Sequence, residues 1–336
     1  MIRIAVDVMG GDNAPGAIID GLCLFLNHHK DVSFTLFGCQ DTIKGFLRHA
    51  KELDAVSEIV HTENNVSAHD KPSLALRKMR SSSMALALEA VAEQRCCATV
   101  SAGNTGAYLA LSKNILKTQG GIDRPAIASL FPTIKGCSAM LDLGGSLEAS
   151  SRNLCEYALM GNVFAQKILG ISEPSVALLN VGKEETKGND HLKQAFQNLQ
   201  NSSMNFIGFI EGNDIAQGKA SVIVTDGFTG NVALKSAEGI VTMTSQLIKK
   251  SIEKNILTKA SGFFVRSIIK EVYKKIDPKA HNGAIWLGLN GIAIKSHGNA
   301  DARSFSYAVK KAYDMKKMDI ITAVNDAMTQ NEDMTG

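Results

Sequence analysis

A chain of 336 residues that is 45% hydrophobic has enough apolar material for one large core or two modest ones, which excludes a disordered or fibrous protein. A formal net charge of +3 with only 6% aromatic residues excludes nucleic-acid binding by the chain as a whole, so a charged partner has to meet a local patch. Cys23, Cys39, Cys96, Cys97, Cys137 and Cys155 have no C-x-x-C spacing, and with no secretory signal and no bilayer-length apolar stretch the expected compartment is the reducing cytoplasm.

The first apolar, β-branched run, residues 2–8, predicts a strand that ends in Met9-Gly10-Gly11-Asp12. Asp7 and Asp12 flank the two glycines. Asp12 is placed either to cap a helix predicted over 16–25 or to orient a cationic ligand-binding side chain, and capping is the commoner use of such an aspartate. Further strands are predicted at 33–37, 57–60, 98–100, 126–131, 137–143, 175–181, 206–211 and 221–225, with helical periodicity over 82–92, 107–116, 153–169 and 191–199. That alternation is the pattern of an α/β fold, a mostly parallel, doubly wound sheet between helix layers. Ligands of such sheets lie beyond the carboxyl ends of the strands. The loops at 9–12, 101–106, 144–146, 182–188, 211–214 and 226–230 are therefore expected on one rim.

Two of these loops carry phosphate-binding chemistry. Ser101-Ala102-Gly103-Asn104-Thr105-Gly106 joins a strand to a helix, and the first backbone N–H groups of a helix have no intrahelical partner while its dipole favours an anion. Gly103 and Gly106 let the backbone approach a ligand, although glycines also serve a tight turn with no ligand at all. Asp226-Gly227-Phe228-Thr229-Gly230 repeats the plan before a helix predicted to start at Asn231, with Lys235 one turn on; a capped helix start is the competing role. Neither loop has Gly-x-Gly-x-x-Gly or Walker A spacing. Lys187 lies in a polar loop where it would neutralise phosphate or an oxyanion, or simply be a surface lysine. Cys96-Cys97 stands at a strand entry beside alanine, which argues for an inert buried thiol rather than a nucleophile.

Residues 245–277 break the alternation. Ile248, Ile252, Ile256, Val265, Ile268, Ile269, Val272 and Ile276 recur at helical spacing, interrupted near 258–262, among Lys249, Lys250, Arg266, Lys270 and Lys274. The pattern predicts a projecting basic helical hairpin, about 245–279, with Phe263 and Phe264 at its tip. Its role is open between a dimer-forming hairpin and a docking surface for a carrier protein or membrane. The rest of 1–330 is expected to be one α/β domain, followed by a frayed tail at 331–336. Lys295-Ser296-His297-Gly298 follows another apolar run, and His297 is either a proton donor or a loop histidine. The histidines and cysteines lack metal-ligand spacing.

Seven segments, taken together, resemble one family. They are Val6-Asp7-Val8-Met9-Gly10-Gly11-Asp12-Asn13-Ala14-Pro15, the loop from Ser101 to Ala107, Leu141-Asp142-Leu143-Gly144, Leu179-Asn180-Val181-Gly182 with Glu184, Glu185, Lys187 and Gly188, Glu211-Gly212-Asn213-Asp214, the segment from Asp226 to Lys235, and Lys295 to Gly298. In this order they resemble the phosphate acyltransferases called PlsX. The resemblance implies an isocitrate/isopropylmalate dehydrogenase-like α/β/α sandwich without a nicotinamide cofactor, and a homodimer. It implies transfer of a long-chain acyl group from acyl carrier protein to inorganic phosphate, giving acyl phosphate for glycerophospholipid synthesis, with the next acyltransferase of that route or the membrane itself as a neighbour. The chain departs from the family at Gly145-Ser146-Leu147-Glu148, where Ala-Asn-Val-Asp is usual, and at Asn13, where histidine is usual.

Such a reaction needs an anion cradle, a site for the oxyanion and help for the departing thiolate, but no protein nucleophile or cofactor. Asn104, Thr105, Lys187 and His297 are the expected catalytic residues. Asp7, Gly10, Gly11, Asp12, Gly103, Gly106, Asp226, Thr229, Gly230, Asn231 and Lys235 are expected around the phosphate. Two other readings compete: a membrane-surface adaptor with a degenerate body, and a phosphotransacetylase-like enzyme that uses acyl-CoA.

Overall fold

The computed structural model describes residues 1–253, 271–272 and 282–331. Among them are the strands β1 Ile2–Asp7, β2 Val32–Gly38, β3 Ser57–His61, β4 Ala98–Ser101, β5 Ala126–Thr133, β6 Gly136–Leu141, β7 Val176–Leu179, β8 Phe206–Ile210, β9 Val222–Val224, β10 Ala284–Leu287 and β11 Ile292–Lys295. They form one large sheet in the order β3-β2-β1-β4-β11-β10-β5-β6-β9-β7-β8. Side chains alternate between the faces of a strand, and here both faces are apolar. Ile4 and Val6 of β1 enter one core cluster and Ala5 the other; Ile285 and Leu287 of β10 are likewise opposed by Trp286. A sheet that is apolar on both sides has to be covered twice. Helices Gly16–Leu26, Ser151–Phe164, Asp190–Gln200, Ala302–Lys317 and Ile320–Gln330 feed the first cluster, and Ser83–Ala92 and Thr105–Leu116 feed the second. β10, β11 and the last two helices were not expected from the sequence.

The sheet is mixed rather than mostly parallel. β10 is antiparallel to both β11 and β5, and β5 is antiparallel to β6, while the flanking pairs are parallel. Three antiparallel pairings in succession reverse direction an odd number of times, so β6, β9, β7 and β8 run opposite to β1, β2, β3, β4 and β11. The expectation of one shared rim is therefore wrong. Loops 9–12 and 101–106 leave one edge of the sheet, and loops 144–146, 182–188, 211–214 and 226–230 leave the other. The helix Gly227–Glu253, whose 27 residues span about 40 Å, packs Ala233 and Leu234 on the second face.

That helix begins at Gly227, four residues earlier than predicted, because the Asp226 carboxylate takes the Thr229 N–H (2.8 Å) and hydroxyl (2.8 Å). Its first turn sits directly on the chain after β6. A Cβ at Gly227 would overlap the Ser146 carbonyl oxygen, and one at Gly230 the Asp142 carbonyl oxygen. Neither backbone acceptor can swing away as a side-chain end can. Gly230→Ala is accordingly expected to cost about 3 kcal/mol, read as a lowered midpoint in denaturant melts; a variant with unchanged stability would refute this packing.

Of the expected basic hairpin, the Gly227–Glu253 helix supplies the start, with Lys249 and Lys250 exposed. Phe263, Phe264, Arg266, Lys270 and Lys274 lie outside the described residues, as do 332–336 of the expected tail.

Candidate active site

The ends of β1, β4 and β11 meet in register, Asp7 beside Ser101 and Ser101 beside Lys295. Asp7 is buried and does not face solvent or a ligand: Oδ1 accepts from the Ser83 hydroxyl (2.7 Å) and Oδ2 from the Ser101 hydroxyl (2.7 Å), which itself accepts from Gly103 N–H (3.0 Å). Burial pushes its carboxyl above the usual range, against the pull of the two hydroxyls and Lys295. Gly10 and Gly11 pass so close that a Cβ on Gly10 would meet Asp7 Oδ2 and Gly103 N, and Gly11 has φ +106°. Asp12 N–H donates to Gly298 O (2.8 Å). The glycine turn after β1 thus buttresses the loops after β4 and β11.

Asn104 is engaged at both ends of its amide. Oδ1 caps the Thr105–Leu116 helix by accepting from Ala107 N–H (3.1 Å), and Nδ2 lies 3.2, 2.9 and 2.9 Å from the carbonyl oxygens of Ser67, Ala68 and Asp70. The cap leaves the N–H groups of Thr105 and Gly106 without an acceptor among the described residues, at the positive end of a 12-residue helix. The start at Gly227 repeats the pattern, with Asp226 Oδ1 accepting from Thr229 N–H (2.8 Å) and Gly230 N–H donating to Asp226 O (3.0 Å) as Tyr108 N–H does to Asn104 O (2.9 Å), but its cap is a carboxylate, which also takes the Thr229 hydroxyl and would repel an anion. Asp226, Thr229 and Gly230, expected in a second cradle, form this capped turn and are not among the residues that line the cavity described next.

Asn231 and Lys235, further along that helix, do reach the first site. They line a cavity of about 520 Å³ together with Thr105, Lys295, Ser296 and His297. The remaining wall is largely apolar, with Ile127, Leu130, Phe131, Leu143, Leu234 and Ile240 among its members. Lys295, only 6% exposed, donates to Ser296 O, and desolvation pushes its ammonium down to about 8 against the attraction of Asp7 and Asp12. Lys235 Nζ is 2.8 Å from Glu238 Oε2, and Glu238 Oε1 is 3.9 Å from His297 Nε2. Desolvation at the wall lowers the His297 pKa, and Lys235, Lys295 and Lys311 push the same way while Glu238 opposes. Its backbone is fixed by Asn282, whose Oδ1 accepts from His297 N–H (3.0 Å) and whose Nδ2 donates to Ser296 Oγ (2.8 Å).

Sequence reasoning missed several of these groups. Lys295 and Ser296 stood in a segment singled out for its histidine; Glu238 had a legible signal, an i,i+3 pairing with Lys235. Asp142 has no role predicted from its motif, yet it accepts from the N–H groups of Ile127, Gly144, Gly145 and Ser146 and from the Ser146 hydroxyl, at 2.8–3.2 Å. Ser146, the family departure, is therefore a second-hand support, shared also with Tyr157 OH (3.0 Å). Lys187 is not brought to the cavity: it is exposed in the loop after β7, leaving from the opposite edge.

A family model described as "Fatty acid synthesis protein" matches residues 2–323. The phosphate acyltransferase of Paramagnetospirillum magneticum is 47% identical over 316 residues, covering 94% of this chain and 90% of the relative. That of Rhodospirillum rubrum is 44% identical over 329 residues, covering 97% and 94%. Among solved structures, a phosphotransacetylase from Streptococcus pyogenes superimposes with a TM-score of 0.60 at 15% identity, covering 98% of this chain and 94% of that one. A branched-chain phosphotransacylase from Enterococcus faecalis V583 gives 0.59 at 13%, covering 94% and 99%. At these identities the structures share a fold with the chain, a mixed α/β architecture around one large sheet.

Proposed function

The chain belongs to the phosphate acyltransferase family, enzymes of fatty acid and lipid synthesis that move an acyl group to phosphate, and on that premise we propose how its cavity does so. Orthophosphate binds at the start of the Thr105 helix, on the N–H groups of Thr105 and Gly106, with the cations of Lys295 and Lys235 beside it. The acyl chain lies along Ile127, Leu130, Phe131, Leu234 and Ile240. A phosphate oxygen attacks the thioester carbonyl carbon, Asn231 and Ser296 face the developing oxyanion, the C–S bond breaks with its electron pair on sulfur, and His297 carries the proton that sulfur receives. Asn104 and the Asp7–Ser101 pair act by holding the helix start in place. The observation that carries this reading is that one cavity joins an open helix N-terminus and two lysines to an apolar wall.

The donor proposed is long-chain acyl-acyl carrier protein and the product acyl phosphate for glycerophospholipid synthesis. The fold is proposed to be of the isocitrate/isopropylmalate dehydrogenase-like kind, as one domain over 1–330 in the cytoplasm, with the basic hairpin as docking surface for carrier protein or membrane. No helix among the described residues is long and apolar enough to cross a membrane. A homodimer is supported by exposed apolar side chains on the Gly227 helix outside the cavity, Phe228, Val232, Met243 and Leu247. The test is to incubate purified protein with orthophosphate and either acyl-carrier protein or acyl-CoA, trapping acyl phosphate with hydroxylamine. Product from the carrier protein, dependent on phosphate, is expected; product from acyl-CoA alone would move the chain to phosphotransacetylase-like chemistry.

The lysine gives a pH signature. Protonated Lys295 attracts phosphate, and that charge is lost as pH rises through about 8, so KM for phosphate is expected to climb there. In Lys295→Arg the guanidinium keeps its charge and the climb should vanish. A wild-type KM that stays flat to pH 9 would remove Lys295 from the cradle.

A further inference from the structure

We infer that Glu238 is a positioning residue for acyl transfer, holding His297 in the tautomer that relays a proton from phosphate to the departing sulfur and stabilising the imidazolium in between. The inference rests on the assignment of His297 as proton carrier. Three observations support it.

First, Glu238 is the one acidic side chain among the described residues that line the cavity. A carboxylate in the wall of a site for an anion repels that anion, so it needs another use. Second, its two oxygens have different neighbours: Oε2 is held by Lys235 Nζ at 2.8 Å, and Oε1 faces His297 Nε2 at 3.9 Å. Lys235 thereby fixes the carboxylate against the ring. Third, a carboxylate facing Nε2 favours the proton on that nitrogen and leaves Nδ1 to accept from substrate; the contact would tighten once the ring is charged. The charged groups that bear on His297 are Lys235 and Glu238 of the Gly227 helix, Lys295 of β11 and Lys311 of the Ala302 helix, and Glu238 alone among them favours the imidazolium.

The step balances without another reactant. Monohydrogen phosphate attacks the carbonyl carbon and a C–O bond forms. Its hydroxyl proton passes to His297 Nδ1. The C–S bond breaks with the electron pair on sulfur, and sulfur takes the proton from Nδ1, so the imidazole ends as it began.

Glu238→Gln keeps the side chain's shape and removes its charge. It is expected to lower kcat by about 10- to 100-fold and to move the low-pH limb of kcat/KM down by roughly one unit, because a nearby negative charge no longer raises the His297 pKa. Phosphate's own ionisation adds a limb of its own, but it is identical in every variant and cannot produce that shift. Glu238→Asp, which restores the charge, should return the limb towards wild type. An acyl ester of an acidic aryl thiol, whose thiolate leaves unprotonated, should recover much of the Glu238→Gln deficit. A limb that does not move, or a loss found wholly in KM for phosphate, would make Glu238 only a buttress for Lys235 and overturn the inference. Melting curves confirm that the variants fold. In His297→Ala the limb should disappear; if it persists, the proton-carrier reading of His297 fails, whereas its disappearance with an unmoved limb in Glu238→Gln defeats the Glu238 inference alone.

Discussion

Replacing Lys295 by methionine is expected to lower kcat/KM for orthophosphate by about two to three orders of magnitude, with a much smaller change in KM for the acyl donor. Methionine keeps most of the side chain's length and apolar stem, so the lesion is chiefly the charge. In bulk water that charge would be worth little, but Lys295 is buried at the end of β11, where a fixed cation aimed at a bound oxyanion acts in a medium far less screening than water. Loss of one preorganised group of this kind costs on the order of 3 kcal/mol of transition-state stabilisation. By comparison the dipole of the Thr105 helix contributes roughly 0.3 to 1 kcal/mol at an exposed position, so removal of the lysine should outweigh any single change to the helix start. Phosphate-saturation kinetics beside a melting curve are the check. A loss below about fivefold in a folded variant would show that phosphate does not sit against Lys295.

Asp142→Ala is expected to be the most damaging single change to stability, by about 4 kcal/mol. The carboxylate gathers four backbone N–H groups and one hydroxyl from Ile127 and the 144–146 turn. An orphaned buried donor costs about 1–3 kcal/mol. Only the Ile127 N–H is fully buried; the others are half-buried and can find water, which keeps the total near the low end of the sum. The loss is still a large part of the 5–15 kcal/mol that ordinarily holds a domain folded. Activity should fall with stability, because Gly227 and Gly230 rest on the Ser146 and Asp142 carbonyls and carry Asn231, Lys235 and Glu238 into the cavity. Chemical denaturation of the two proteins measures it; a difference below 1 kcal/mol would mean that the hub is dispensable.

Much of this was legible in the residues. Short apolar, β-branched runs marked the strands from β1 to β9, and the small-residue loop after β4 marked the helix whose first residue, Thr105, lines the cavity. What could not be read was direction. β11 shows in the sequence only as the apolar run before Lys295, and no local pattern tells whether a short buried strand such as β10 has parallel or antiparallel neighbours; it is β10 that begins the run of antiparallel pairings. Without it, the loops after β6 and β9 looked like neighbours of the loop after β4. Asp226 and Thr229 were legible both as a cap and as ligands, and the hydrogen bonds between them form the cap. Asn104 drew attention as a ligand because of its loop, whereas its amide is consumed by the helix and by carbonyls of residues 67–70, a contact across more than thirty positions that no local pattern reveals. Lys295 was hidden in plain view at the end of an apolar run, where a lysine reads as a strand terminus.

The most direct test of the account is to locate the anion itself, using crystals grown with tungstate in place of orthophosphate and its anomalous scattering. The account predicts a peak within hydrogen-bonding reach of the Thr105 and Gly106 N–H groups and of Lys295 Nζ, lost in Lys295→Met. A peak at the Asp226–Gly230 turn or beside Lys187, with the start of the Thr105 helix empty, would contradict it.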